Sequence, residues 1–219
     1  MLSYIRRHPT LSIGSLVLLA TLCWIGLRAS HLLLPDLWLP SSPEHIVSQE
    51  RPVRVNPHIY DQQWFDAARA GRTDISHALL TAGFPVNSRS SDGYTALVLA
   101  TYHGKSSEVA LLLGAAADPC IPDHNGNTAL MGALFKGEIE VARLLIGRCP
   151  VNQANNSGQT ALAFAALFGR LDFIPVLVAE GADVNHTDAH GETALGIVVG
   201  QGNDAAADAL RQLGATETN

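Results

Sequence analysis

The second part of the chain repeats one short sequence at nearly constant intervals. The tripeptide Thr-Ala-Leu begins at residues 95, 128, 160 and 193, so that successive copies are 33, 32 and 33 residues apart. Each copy has one glycine two residues before its threonine and another nine residues after it. So regular a period predicts a stack of similar units, each of which buries its apolar surface only against its neighbours.

Each unit is predicted to form a turn and two helices. The hydroxyls of Thr95, Thr128, Thr160 and Thr193 are placed to cap the first helix, because they can accept hydrogen bonds from free amides of its first turn. This helix runs about nine residues to the second glycine, the residue favoured after a helix end. A second apolar-periodic segment follows, such as VALLLG from residue 109. The predicted fold class is therefore all-α, a helical solenoid.

A turn and two helices at this period resemble the ankyrin repeat, whose core carries Thr-Pro-Leu-His-x-Ala. Here alanine replaces the proline of that signature, and no histidine follows the leucine. The resemblance covers residues 61–219 and implies about five repeats. Their predicted bounds are 61–91, 92–124, 125–156, 157–189 and 190–219. The first repeat lacks the Gly-Thr turn and would cap the N-terminal end of the stack.

An uncharged segment of nineteen residues, 9–27, precedes the repeats. At ~1.5 Å per residue, a helix of this length covers nearly all of the ~30 Å hydrocarbon core of a bilayer. We therefore predict a cytoplasmic N-terminus over 1–8 and a transmembrane anchor over 9–28. The alternative is a cleaved signal peptide that exports the repeats to the periplasm.

The charges around this segment indicate its orientation. Arg6 and Arg7 precede it and Arg28 follows it. The positive-inside rule then places the repeats outside the cytoplasm, in the periplasm if the cell is bacterial. Residues 29–60 contain five prolines and are predicted to be a semi-extended spacer.

The repeat region is acidic, with nine Lys and Arg against seventeen Asp and Glu in residues 61–219. This balance disfavours nucleic acid as a partner. Cys120 and Cys149 fall in corresponding turns of adjacent repeats. A disulfide and two separate, unreactive thiols are both compatible with the sequence, and we favour the separate thiols.

The sequence contains no motif that carries catalytic chemistry. It has no G-x-S-x-G, no glycine-rich phosphate loop and no H-E-x-x-H. His186, Asp188 and His190 could be imagined as metal ligands, but we interpret them as polar residues of a turn. The chain is therefore predicted to be no enzyme and to need no cofactor or metal.

The ankyrin resemblance implies that a partner would meet the turn tips and the exposed side of the first helices. The last positions of those helices carry Tyr102, Phe135 and Phe168 in three successive repeats, whereas Arg69 takes this place in the first. Because aromatic residues are enriched in binding hot spots, we predict a binding stripe. The alternative is that these rings pack between helices. The candidate surface comprises Tyr94, Tyr102, His103, His124, Asn125, Asn127, Phe135, Lys136, Gln159, Leu167, Phe168, His190 and Glu192, with Asp92 and Asn156 at the same turn tips.

The resemblance implies a non-enzymatic module that binds one partner protein on its concave face, and we expect a monomer. The resemblance is to bacterial ankyrin proteins that are membrane-anchored or exported, and proteins of this shape have been linked to an enzyme made with them, as accessory, inhibitor or immunity factor. The alternative function is a structural scaffold that organises a membrane complex through both the anchor helix and the repeats.

Overall fold

The computed structural model of the protein describes residues 57–217, which form ten α-helices, two in each of five repeats. In chain order they are α1 (Asp61–Ala70), α2 (Thr73–Thr81), α3 (Ala96–Tyr102), α4 (Ser106–Gly114), α5 (Ala129–Lys136), α6 (Ile139–Leu145), α7 (Ala161–Leu167), α8 (Ile174–Ala179), α9 (Ala194–Gly200) and α10 (Asp204–Gln212). Short 3₁₀ turns, Pro57–Tyr60 and Leu171–Phe173, precede α1 and α8. The all-α prediction is confirmed for this part of the chain.

The predicted anchor at 9–28 lies outside the described residues, as does the predicted spacer up to residue 56. Within residues 57–217, no helix combines the length and the apolar character needed to cross a bilayer. The last four residues of the predicted spacer form the first 3₁₀ turn.

The predicted threonine caps are confirmed in three of the four Thr-Ala-Leu copies. The hydroxyls of Thr95, Thr128 and Thr193 each accept from the backbone N–H three residues further on, at 3.1–3.3 Å. Thr160 occupies the same place before α7, but its hydroxyl makes no such bond. The caps begin the first helix at the same point of the repeat and so keep successive first helices in register.

The core lies between two rows of helices. The first helices, α1, α3, α5, α7 and α9, pack on one another in chain order, and each also packs on the second helix of its own repeat. In repeats two, three and four, six consecutive residues of the first helix are buried: 96–101, 129–134 and 161–166. Burial on all sides explains why these segments, except for the buried Thr101, are apolar around the whole helix rather than along one stripe.

The loops after the second helices are joined from one repeat to the next by a recurring hydrogen bond. The side-chain amide oxygen of an asparagine accepts a hydrogen bond from a backbone N–H of the following repeat at 2.8–2.9 Å. The pairs are Asn87 with Asp118, Asn152 with Asp183, and Asn185 with Thr216. At the junction of repeats two and three, the position of this asparagine is taken by Cys120.

This junction carries a disulfide in place of the asparagine bond. Cys120 is bridged to Cys149, and their Cα atoms are 5.5 Å apart, within the range that a disulfide spans. The separate thiols that we favoured from the sequence are therefore not what the fold contains. The sequence could not give the Cα separation, because repeat three lacks one residue here and α6 ends already at Leu145.

Removal of this disulfide is expected to destabilise the repeats. In the compact unit Arg54–Asn219, Cys120→Ser/Cys149→Ser should lower the free energy of unfolding by about 2–4 kcal/mol, because the unfolded chain regains the freedom of the closed loop. Urea unfolding with and without reductant measures this. Reductant should destabilise the wild type and leave the double variant unchanged. Two titratable thiols in the unreduced, denatured wild type would contradict the bridge.

Glu108 is an anomaly in this core. It is fully buried on α4, and its carboxylate oxygens make no hydrogen bond of ordinary geometry, although the Ser76 hydroxyl lies close by. The corresponding position carries an apolar residue in every other repeat: Ile75, Val141, Phe173 and Ala206. Burial raises the pKa of the Glu108 carboxyl, although the buried Ser76 hydroxyl lowers it in part. The folded state therefore favours the protonated carboxyl.

Replacement of Glu108 by glutamine should remove a pH-dependent loss of stability. Because the folded pKa is raised, the unfolded chain loses its proton first as pH rises above about 4, and folding stability then falls until the folded pKa is passed. Glu108→Gln should therefore become increasingly more stable than the wild type toward alkaline pH. Urea unfolding across that range measures the difference. The exposed Glu140→Gln is the control, and an equal, pH-independent effect of both variants would contradict the prediction.

Candidate protein-binding surface

A polar side chain five residues before the threonine of each Thr-Ala-Leu copy organises the turn between repeats. These side chains are Ser90, Asp123, Asn155 and Asp188, and their oxygens accept from backbone N–H groups up to four residues further on at 2.8–3.1 Å. From the sequence we interpreted Asp188 as a polar turn residue but did not single out Ser90, Asp123 or Asn155, although their spacing from the threonine is a readable signal. They fix the backbone direction of the predicted turn-tip residues.

Asp188 shows how firmly these bonds act. Burial works to raise the pKa of its carboxyl, but the backbone N–H groups of His190 and Glu192 outweigh it and hold this pKa below the ordinary value. Asp188 therefore stays ionised and keeps the last turn in shape.

The turns of repeats three and four are also joined side chain to side chain. Asn155 donates to the amide oxygen of Asn127 at 2.9 Å, and Asn127 donates to the Asp123 carboxylate at 3.3 Å. The Tyr102 hydroxyl donates to the same carboxylate at 2.9 Å. Burial, followed by the charge of Asp123, raises the pKa of Tyr102 well above its ordinary value. This network holds the Tyr102 ring in place beneath the turns.

The aromatic side chains at the ends of the first helices contact one another at the surface. Phe135 and Phe168 meet edge to face with their ring centroids 4.8 Å apart, yet they remain 43% and 38% exposed. Phe164 supports Phe168 from the core. The Lys136 ammonium lies 5.6 Å from the centre of the Phe135 ring. The rings therefore pack on each other and still present apolar area to solvent.

A groove of about 720 Å³ lies between the first helices and the turn tips. Nine of the predicted site residues line it: Tyr94, Tyr102, His103, Asn125, Asn127, Phe135, Lys136, Gln159 and Phe168. The turn-tip residues Asp92 and Asn156 and the first-repeat Arg69 line it as well. Sequence reasoning missed four more lining residues, Leu99, Asn155, Ser157 and Phe164.

Four predicted residues lie elsewhere. His124 packs against the Tyr94 ring at 5.1 Å and borders a separate shallow depression. Leu167 is partly buried in α7 and does not line the groove. His190 and Glu192 are exposed at the last turn, where their N–H groups bind Asp188. The groove is therefore centred on repeats two to four.

His186 and its neighbours are likewise accounted for by the turn itself. The His186 ring Nε2 donates to the carbonyl oxygen of Gly158 at 2.9 Å, which links two turns. Among the residues that the structure describes, no three His, Cys, Asp or Glu side chains are grouped so as to hold a metal ion.

Arg170 anchors the helix that carries Phe135. Its guanidinium donates to the carbonyl oxygens of Leu134 and Phe135 at 2.9 and 3.2 Å, and so caps α5 from the following repeat. Gly137 makes this approach possible. Its φ is 79°, and a Cβ there would stand 2.9 Å from the guanidinium carbon. The end of α5, and with it Phe135, is thus fixed by a neighbouring repeat.

Comparison with known families agrees with this architecture. A model of three ankyrin repeats matches residues 64–155, and a second model of many ankyrin repeats matches 144–198. The chain belongs to the ankyrin-repeat family. Proteins of this family are generally non-enzymatic interaction modules, so the repeats of this chain are a protein–protein interaction module.

Curated relatives of this ankyrin-repeat chain share only part of their length with it. It is 35% identical to a putative ankyrin repeat-containing protein of Treponema pallidum over 47% of this chain and 35% of that protein. It is 32% identical to the tyrosine-protein kinase HTK16 of Hydra vulgaris over 49% of this chain but 15% of the kinase. It is 43% identical to Protein HOS4 of Saccharomyces cerevisiae over 32% of this chain and 6% of HOS4. The kinase match is confined to repeats.

Loss of the Arg170 cap should destabilise the ankyrin stack. Arg170→Met removes two charge-assisted hydrogen bonds to helix carbonyls, and we expect the free energy of unfolding to fall by about 1–3 kcal/mol. Urea unfolding of the unit Arg54–Asn219 measures this. Arg143→Met, on the exposed face of α6, is the matched control and should change stability by no more than about 0.5 kcal/mol. Equal effects of both substitutions would contradict the role of Arg170.

Proposed function

We propose that this ankyrin-repeat protein binds one partner protein in the groove between its first helices and its turn tips. The observation that carries the proposal is the edge-to-face pair of Phe135 and Phe168, which stays about two-fifths exposed in the floor of that groove. Exposed aromatic area at a fixed position is what binding hot spots consist of. The protein acts as a monomer and through binding alone.

The rest of the groove supports a protein ligand. The side chains of Asn125, Ser157 and Gln159 line the same groove and add polar groups around the aromatic pair. Protein interfaces usually have an apolar centre surrounded by polar groups. The network through Asp123 and the cap from Arg170 hold the lining of the groove in place before a ligand binds. Such a surface loses little side-chain entropy on binding.

We further propose that the repeats work outside the cytoplasm, held to the membrane by residues 9–28. Two features support this location. Arg6 and Arg7 precede the uncharged segment, and positive residues favour the cytoplasmic side. The Cys120–Cys149 bridge belongs to an oxidising compartment, because cytosolic thiols are kept reduced. In this position the module would act as an accessory, inhibitor or immunity factor for an enzyme made with it.

Co-purification of the full-length chain from its native membranes tests the groove. Phe135→Ala/Phe168→Ala should lose the bound protein that the wild type retains, because it removes the apolar floor. The matched control is Val199→Ala on α9, an equally exposed apolar residue that does not line the groove. It should retain the partner. Mass spectrometry of the bound fraction gives the measurement, and circular dichroism checks that both variants are folded.

A partner retained by the folded double variant would contradict binding in the groove. A partner lost on deletion of residues 1–30, and unaffected by the two alanines, would instead favour a scaffold that assembles through its membrane segment. For the location, alkaline phosphatase fused after residue 219 should be active, because that reporter folds only where disulfides form. An inactive fusion would place the repeats in the cytoplasm.

A further inference from the structure

The groove differs in charge from the rest of the repeat domain. Residues 61–219 contain seventeen acidic residues, of which Asp92 alone lines the groove, beside the two cations Arg69 and Lys136. The groove is thus less acidic than the domain around it. Because potentials are focused inside clefts, a cation without a carboxylate partner there influences which ligands enter.

Lys136 is the cation that a ligand can use. Arg69 is already paired with Asp66 of its own helix at 2.8 Å. Within residues 57–217, no carboxylate lies within ion-pair distance of Lys136. Its ammonium is instead held 5.6 Å from the centre of the Phe135 ring. A positive charge therefore stands directly beside the exposed aromatic pair.

The polar lining of the groove suits a peptide backbone. The side chains of Asn125 and Gln159 each carry a donor and an acceptor and line the groove. An extended segment presents N–H and C=O groups alternately along each edge, and such amides can bind both. Asn125 and Gln159 do not require a particular side chain of the ligand. Phe135, Phe168 and Lys136 would therefore determine which side chains the ligand carries.

We infer that the groove receives an extended segment of the partner in which an acidic residue and a large apolar residue are two positions apart. The inference rests on the proposed function. Side chains at i and i+2 of an extended chain point the same way and are about 6.6 Å apart. The Lys136 ammonium and the Phe135 ring centre are 5.6 Å apart, so two side chains on the same face of such a segment can reach both. The apolar side chain covers Phe135 and Phe168, and the carboxylate pairs with Lys136.

Selection from a displayed library of random linear peptides tests this specificity. The full-length chain in detergent micelles is the bait, in parallel with Phe135→Ala/Phe168→Ala and Lys136→Glu. The wild type should enrich peptides with Asp or Glu two positions from Leu, Ile, Met, Phe or Trp. The double alanine variant should enrich none of them. Lys136→Glu should exchange the acidic residue for Lys or Arg at the same spacing.

Binding of one enriched peptide then measures the ion pair. Lys136→Gln should weaken it about two- to five-fold, as expected for an exposed pair, and Lys136→Arg should restore it. Peptides that depend on the two phenylalanines but show no acidic residue, or do not respond to Lys136→Glu, would overturn the inference and leave the proposed function intact. If no peptide depends on the phenylalanines, the inference fails, and the membrane co-purification judges the proposed function separately.

Discussion

Contact between neighbouring first helices is the interaction on which the rest of this molecule depends. No repeat covers its own apolar surface, and six consecutive residues of α5 are buried only because α3, α7 and α6 lie around it. The proposed binding residues Tyr102 and Phe135 lie at the ends of the same helices, and Phe168 follows α7 directly. The packing that stabilises the stack therefore also sets the distance between Phe135 and Phe168, and the site cannot form before the repeats have stacked.

Much of this architecture could be predicted from the sequence, because the Thr-Ala-Leu segment and its flanking glycines occur in four copies. The 33-residue period, the capping threonines and the glycines at helix ends predict the ten helices with little ambiguity. The groove was harder to predict from the sequence. The nine predicted residues that line it follow from the repeat register, which fixes the side of a helix that faces outward. Leu167, His190 and Glu192 share that register but lie outside the groove, because its extent depends on the side chains of neighbouring repeats. Phe164 and Asn155 were missed for the same reason.

Packing alone does not explain the positions at which one repeat carries a different type of residue from the others. Glu108 stands at an otherwise apolar position, and Ala116 adopts a φ of 63° in a loop where other repeats have glycine. Both cost stability relative to the repeat consensus. The exposed phenylalanines are a third departure, and they lie together with Lys136 in one groove. Natural sequences tend to break local rules at functional positions, and of these departures only the phenylalanines line the groove.

The disulfide between Cys120 and Cys149 changes how the stack can come apart. A row of repeats joined only by contacts opens from its ends inward, one unit at a time, since each unit is held by its neighbours alone. The disulfide bond between repeats two and three couples the opening of those two units. They carry Tyr102 and Phe135, so the centre of the groove belongs to the last segment to melt. The terminal repeats can fray first, while the part of the proposed binding groove that repeats two and three form keeps its shape.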